Sequence, residues 1–130
     1  DMENLKQGKD IRLADGTLLA NALLTLDPEP SKSYAFCSDT AYLPKLADWV
    51  YGVNYLYHEA TFLDMHQDLA KKTQHSTAAE AAQIAATAKV GQLILGHFSS
   101  RYPDRNEFIT QAQKHFNNVH LAEDGKRFDW

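Results

Sequence analysis

Apolar residues along this chain come in two rhythms. Short unbroken runs, "YAFC", "YLYHEA" and "QLIL", alternate with stretches in which apolar positions recur every three or four residues. Short runs suit buried strands, and the three-to-four spacing is that of one helix face. "SYAFCSDT" predicts a buried strand running into Asp39, "VNYLYHEA" a second ending at His58 and Glu59, and "QLILGHF" a third ending at His97. Between the first two, Leu43, Leu46 and Val50 predict a helix stopped by Gly52. Residues 61–73 read as a polar helix or a partly helical loop. Thr77 and Glu80 then form a Thr-x-x-Glu capping box before "AAEAAQIAATAK", a helix of small residues suited to close packing on a sheet and closed by Gly91. Asp104 and Glu107 repeat the capping pattern ahead of an apolar stripe of Phe108, Ile109, Ala112 and Phe116. "NVHLAED" and "KRFDW" predict final strands about a turn at Gly125. Upstream, residues 8–20 predict strand, "ADG" turn and strand, and residues 26–32 a loop stiffened by Pro28 and Pro30. Strands alternating with helices define an α/β class.

Composition narrows this only a little. The chain has 130 residues, 44% hydrophobic and 23% charged, enough to build a core. The net charge of −4 and the lack of a Lys/Arg run argue against a general electrostatic grip on nucleic acid by these residues, while leaving room for a local phosphate site. Cys37 is the single cysteine, so no internal disulfide forms and a reducing compartment is expected. No stretch reads as a signal peptide or a membrane span, so the expectation is a cytoplasmic protein without a membrane partner.

Candidate chemistry gathers where the strands end. Asp39, His58, Glu59 and His97 all close predicted strands, and ligand sites in α/β sheets form at the carboxyl ends of strands. His75, in "QHST", stands just before a helix start. Imidazoles with carboxylates suit zinc or manganese, and Arg101 could hold a phosphate with two parallel hydrogen bonds. Taken singly, each residue also has an ordinary role open to it. Asp39 could cap a turn, His58 could be a core histidine, and Glu59 could hold a backbone N–H or a neighbouring histidine. His75 could belong to a helix cap, and Arg101 to a surface ion pair.

Together the motifs are more specific. "CSDTAY", "HEATF", "QHSTAAEAAQIA" and "GHFSSRY" occur in that order, with thirty-six residues from Asp39 to His75 and twenty-two from His75 to His97. This pattern resembles the carboxyl-terminal half of ribonuclease Z, the tRNA 3′-processing endonuclease family of the metallo-β-lactamase fold. "LKQGKDIRLADGTLL" resembles the family's segment before the aspartate strand, so the resemblance runs over roughly residues 5–125. It implies an αββα four-layer sandwich, of which residues 1–130 would be the carboxyl-terminal part of a single domain. It implies a zinc-dependent endoribonuclease that removes the 3′ trailer from precursor tRNA and works as a homodimer. By the same resemblance Asp39 matches the aspartate bridging two zinc ions, and His97 matches a histidine ligand of one of them. His75 matches the histidine proposed to give a proton to the leaving group, with Glu59 and His58 supporting it. Thr77, Ser99 and Arg101 fall in motifs beside the substrate.

The family's His-x-His-x-Asp-His motif is not among these residues. The expectation is therefore that the amino-terminal half is absent, that the zinc ligand set is incomplete, and that the isolated chain is inactive. Two other readings are a phosphodiesterase or arylsulfatase-like hydrolase of the same fold, and a non-catalytic dimerisation or scaffold half.

Overall fold

Each of the three strand-forming runs is followed by a helical stretch, and a chain so punctuated returns to its sheet in parallel. The computed structural model describes residues 2–129, in two units that divide after Ser31.

In the first unit, α1 (Met2–Lys6) precedes a hairpin of β1 (Ile11–Arg12) and β2 (Leu18–Leu19), followed by α2 (Asn21–Leu24). The expected strand–turn–strand is present but short. Gly16 takes φ +88° and donates its N–H to Leu13 O, while Leu13 N–H donates to Thr17 O. Asn21 ties the unit together: its amide donates to Leu5 O and Lys9 O, and its N–H donates to Asp10 Oδ1. None of the described residues up to Ser31 is buried, so polar bonds hold this unit rather than a core.

The second unit is built on a parallel sheet of β3 (Tyr34–Cys37), β4 (Tyr55–Glu59), β5 (Gln92–Gly96) and β6 (Val119–Leu121), in that order. Register sets Cys37 opposite His58, Glu59 opposite Gly96, and Leu95 opposite Leu121, so the carboxyl ends form one rim. The helices are α3 (Leu46–Trp49), α4 (Gln67–Thr73), α5 (Ala78–Ala88) and α6 (Asn106–Ala112), with a 3₁₀ turn at Asp64–His66. Alternation along the strands points Leu56, Leu93, Leu95, Val119 and Leu121 into one core with the helices. Ala78, Ala81, Ala82, Ala85 and Ala88 are all buried, and their small side chains bring the α5 backbone close to the sheet. Phe108 and Ala112 fill the same core, with Ile109 and Phe116 packed at its edge.

Four expectations need correction. β3 is an edge strand rather than a buried one: its core-facing residues are half-buried, while Tyr34 and Phe36 lie exposed on the opposite face. Helix α5 is closed by Lys89 at φ +52°, whose N–H reaches Ala85 O and Ala86 O, and not by Gly91. Gly91 is needed for another reason, since a Cβ there would sit 2.6 Å from Asn54 O. The second capping box does not form, because Arg105 is the N-cap of α6 and Asp104 accepts the Asn106 N–H. Finally, the described part of "KRFDW" is not a strand; it runs beside the sheet, with Tyr55 Oη donating to Asp129 O and Phe128 edge-on to His120. The turn at Gly125 is present, at φ +80°.

Candidate metal centre

Asp39 and His97 leave their strands in left-handed backbone conformations, at φ +51° and +58°. Gln74 and Lys89 share that conformation, but as helix C-caps, where it is ordinary. At a strand end a non-glycine residue held this way needs a local reason, and such strain gathers at functional sites. His97 follows Gly96, where a Cβ would run into the Tyr57 ring, 2.6 Å from its nearest carbons. The Tyr57 ring is itself stacked on Phe36 at 4.5 Å.

His97 Nε2 lies 3.2 Å from Asp39 Oδ1, and the His75 and His97 rings stack 5.3 Å apart, 28° from parallel. One ligand atom from each of Asp39, His75 and His97 lies within 4.8 Å of the others. Among the described residues this is the one group of three that could hold a metal ion. The donors suit a divalent ion such as zinc: two imidazoles and a carboxylate, with Asp39 and His97 open to solvent and His75 partly so. A second carboxylate holds the His75 imidazole from behind and fixes its orientation.

That carboxylate is Glu59. Its side chain is 0% exposed, yet it has partners all round. Oε1 accepts from Thr40 N–H (2.9 Å) and His75 Nδ1 (2.7 Å). Oε2 accepts from Ser76 N–H (3.1 Å), Thr61 N–H (3.3 Å) and the Thr61 hydroxyl (2.7 Å). The Thr61 hydroxyl also lies 2.8 Å from His97 Nδ1. Burial alone would push the Glu59 carboxyl up, but the bonds from Thr61, Ser76 and His75 outweigh it and hold the pKa below the ordinary value. Glu59 thus stays ionised and joins the three strand ends. Ser76 Oγ closes the ring by donating to Thr40 O at 2.7 Å.

The other predicted residues fall elsewhere. His58 points to the helix side, fully buried, with Nδ1 2.7 Å from Glu59 O and Nε2 without a hydrogen-bond partner among the described residues. Burial pushes its pKa down, so it is neutral in the core and does not join the cluster. Thr77 is buried as the N-cap of α5, its hydroxyl accepting Glu80 N–H while Glu80 Oε2 accepts Thr77 N–H. Ser99 is half-buried; its N–H donates to Thr61 O and its hydroxyl accepts from Arg101 N–H. Arg101 is exposed, with its guanidinium 5.6 Å over the Phe62 ring and no ion pair among the described residues. Reading the sequence missed Thr40, Thr61 and Ser76. The signal was a hydroxyl residue placed after each polar strand end or loop histidine, in "DT", "HEAT" and "HST".

The sheet with its helices on one side and a His/Asp rim belongs to a known class. The chain is similar to a solved metallo-β-lactamase fold protein, YhfI from Bacillus subtilis, at a TM-score of 0.69 over 74% of this chain and 39% of that one, with 22% identity. The structure is therefore part of a metallo-β-lactamase fold. No family model matches the chain. It is 45% identical over 122 residues to the ribonuclease Z of Phocaeicola vulgatus, covering 94% of this chain and 40% of that protein. It is 43% identical over 129 residues to the ribonuclease Z of Cytophaga hutchinsonii, covering 98% and 41%. Nearly the whole chain is thus similar to ribonuclease Z proteins, and it spans about two fifths of the length of the curated relatives it matches. No helix among the described residues is long and apolar enough to cross a membrane.

Proposed function

We propose that this chain carries part of the active site of a zinc-dependent endoribonuclease that cuts the 3′ trailer from precursor tRNA, working in the cytoplasm as a homodimer. One observation carries the reading: Asp39, His75 and His97 converge around a buried Glu59 in a ribonuclease Z relative. Asp39 and His97 are the proposed metal-holding side chains, through a carboxylate oxygen and Nε2. Zinc, when bound, lowers the pKa of water and polarises the phosphodiester.

The chain's own groups then act on the phosphate and the leaving oxygen. His75 has its Nδ1 tied to Glu59, which leaves Nε2 facing the cluster. As a water-derived oxygen bonds to phosphorus and the bond to the tRNA 3′ oxygen breaks, protonated His75 gives that oxygen a proton from Nε2. Glu59 orients the ring and balances its charge while that proton is held. The products are a tRNA with a free 3′ hydroxyl and a trailer with a 5′ phosphate. Arg101, steadied by Phe62, supplies a charge for an adjacent phosphate. The further ligands needed for a second ion would come from outside these residues.

His75→Ala in the complete enzyme is expected to lower turnover on precursor tRNA by about 10²–10⁴-fold while zinc content stays unchanged. Loss of zinc with turnover would make His75 a ligand instead. Cleavage of a small phosphodiester with none of precursor tRNA would move the assignment to another hydrolase of the fold.

A further inference from the structure

We infer that Thr61 is a positioning residue that fixes the His97 ring with its proton on Nδ1, so that the Nε2 lone pair faces Asp39 and any metal held there. Glu59 is a buried carboxylate that can only accept. Thr61 Oγ1 lies 2.7 Å from Glu59 Oε2 and 2.8 Å from His97 Nδ1. A hydroxyl has one hydrogen, and here it goes to the carboxylate. The lone pair that remains faces Nδ1, so the ring must donate.

Asp39 pulls the other way. Its Oδ1 is 3.2 Å from Nε2 and favours a proton there. Burial decides between the two. The Asp39 side chain is 71% exposed, and water screens its pull. Glu59 is 0% exposed, and moving the proton to Nε2 would turn the Thr61 hydrogen away from it with no water to replace the bond. The shorter contact, backed by the buried Thr61–Glu59 bond, therefore wins. A free neutral imidazole prefers its proton on Nε2, so this ring is held against its own preference.

One carboxylate thus sets both histidines: His75 directly through Oε1, and His97 through Thr61 and Oε2. The geometry comes from the strand. Ala60 N–H donates to Gly96 O and continues the ladder past β4, so Glu59 and Thr61, two apart, turn to the same side. In the neutral ring a lone pair then faces a carboxylate oxygen at 3.2 Å, an arrangement that a cation between them completes.

The inference rests on the metal-centre reading, but its test does not need activity. In the metal-free chain labelled with ¹⁵N-histidine, long-range ring spectra of the neutral ring should show His97 protonated on Nδ1. Protonation on Nε2 would overturn the inference. Thr61→Val should shift the ring to the Nε2-protonated form and weaken zinc binding by about ten- to a hundredfold, whereas Thr61→Ser should preserve both. An unchanged tautomer in a folded Val variant would also overturn it, and the wild-type spectrum decides the matter if that variant does not fold. Failure of the chain to bind zinc with His97 still protonated on Nδ1 would sink the metal-centre reading and leave the Thr61 assignment standing.

Discussion

Two buried titratable groups on β4 point to opposite sides of the sheet and bear opposite relations to acid. His58 titrates below its ordinary 6.5 because burial outweighs the raising effects of the Glu59 carbonyl and of the Glu59 and Glu80 charges. The unfolded chain therefore takes up that proton at higher pH than the folded one. Stability from neutral His58 is complete above pH 6.5 and is lost as pH falls from there through the folded value. His58→Leu should flatten this part of the stability curve, read as denaturation midpoints from pH 7 downward. Glu59 also titrates below its ordinary value, 4.5, so its contribution is complete above pH 4.5 and lost as pH falls through the folded value. Glu59→Gln should remove that acid-side loss and cost on the order of 2–3 kcal/mol at neutral pH, measured by chemical denaturation. At this scale the sequence was only partly legible. The types and order of Asp39, Glu59, His75 and His97 were plain, because strand ends bring polar residues to one rim. The role of Glu59 was not, because its partners Thr40, Thr61 and Ser76 come from three motifs that only the fold joins.

At the scale of elements, periodicity and caps were the legible part. Helix α5 begins at the Thr77–Glu80 box, and both halves of that box are formed. Thr77→Ala should cost about 1 kcal/mol, seen in thermal or chemical unfolding, without altering a ring signal of His75 or His97. Glycine misled at the other end of the same helix. Lys89 takes the left-handed cap at a local cost, which composition cannot show, while Gly91 answers a close approach from Asn54 that exists only once β4 and β5 pair. Gly91→Ala should therefore destabilise the fold although the residue lies outside the helix. A β3 run rich in aromatics reads as buried, yet its position at the sheet edge depends on strand order, which no local pattern encodes.

Across the whole molecule, the β3 edge of the second sheet face is where aromatic residues stay open, while Tyr55 and Ile94 further along that face are buried. Phe36 is 63% exposed and Tyr34 is exposed beside it, with the Tyr57 ring stacked against Phe36. A contiguous aromatic surface of this kind drives association. The chain should self-associate in sedimentation runs, and Phe36→Lys should reduce that association while leaving the rim intact. The α/β class and the parallel sheet were legible from the alternation of elements. The open stretch of this face was not legible, because it depends on which strand lies at the sheet edge. The central claim is that Asp39 and His97, backed by Glu59, form one side of a metal centre. Its most direct test is a calorimetric zinc titration of the metal-free 130-residue chain beside its His97→Ala variant. The account predicts weak binding of one ion, abolished in the variant. Tight binding of two ions, or binding that His97→Ala leaves untouched, would contradict it.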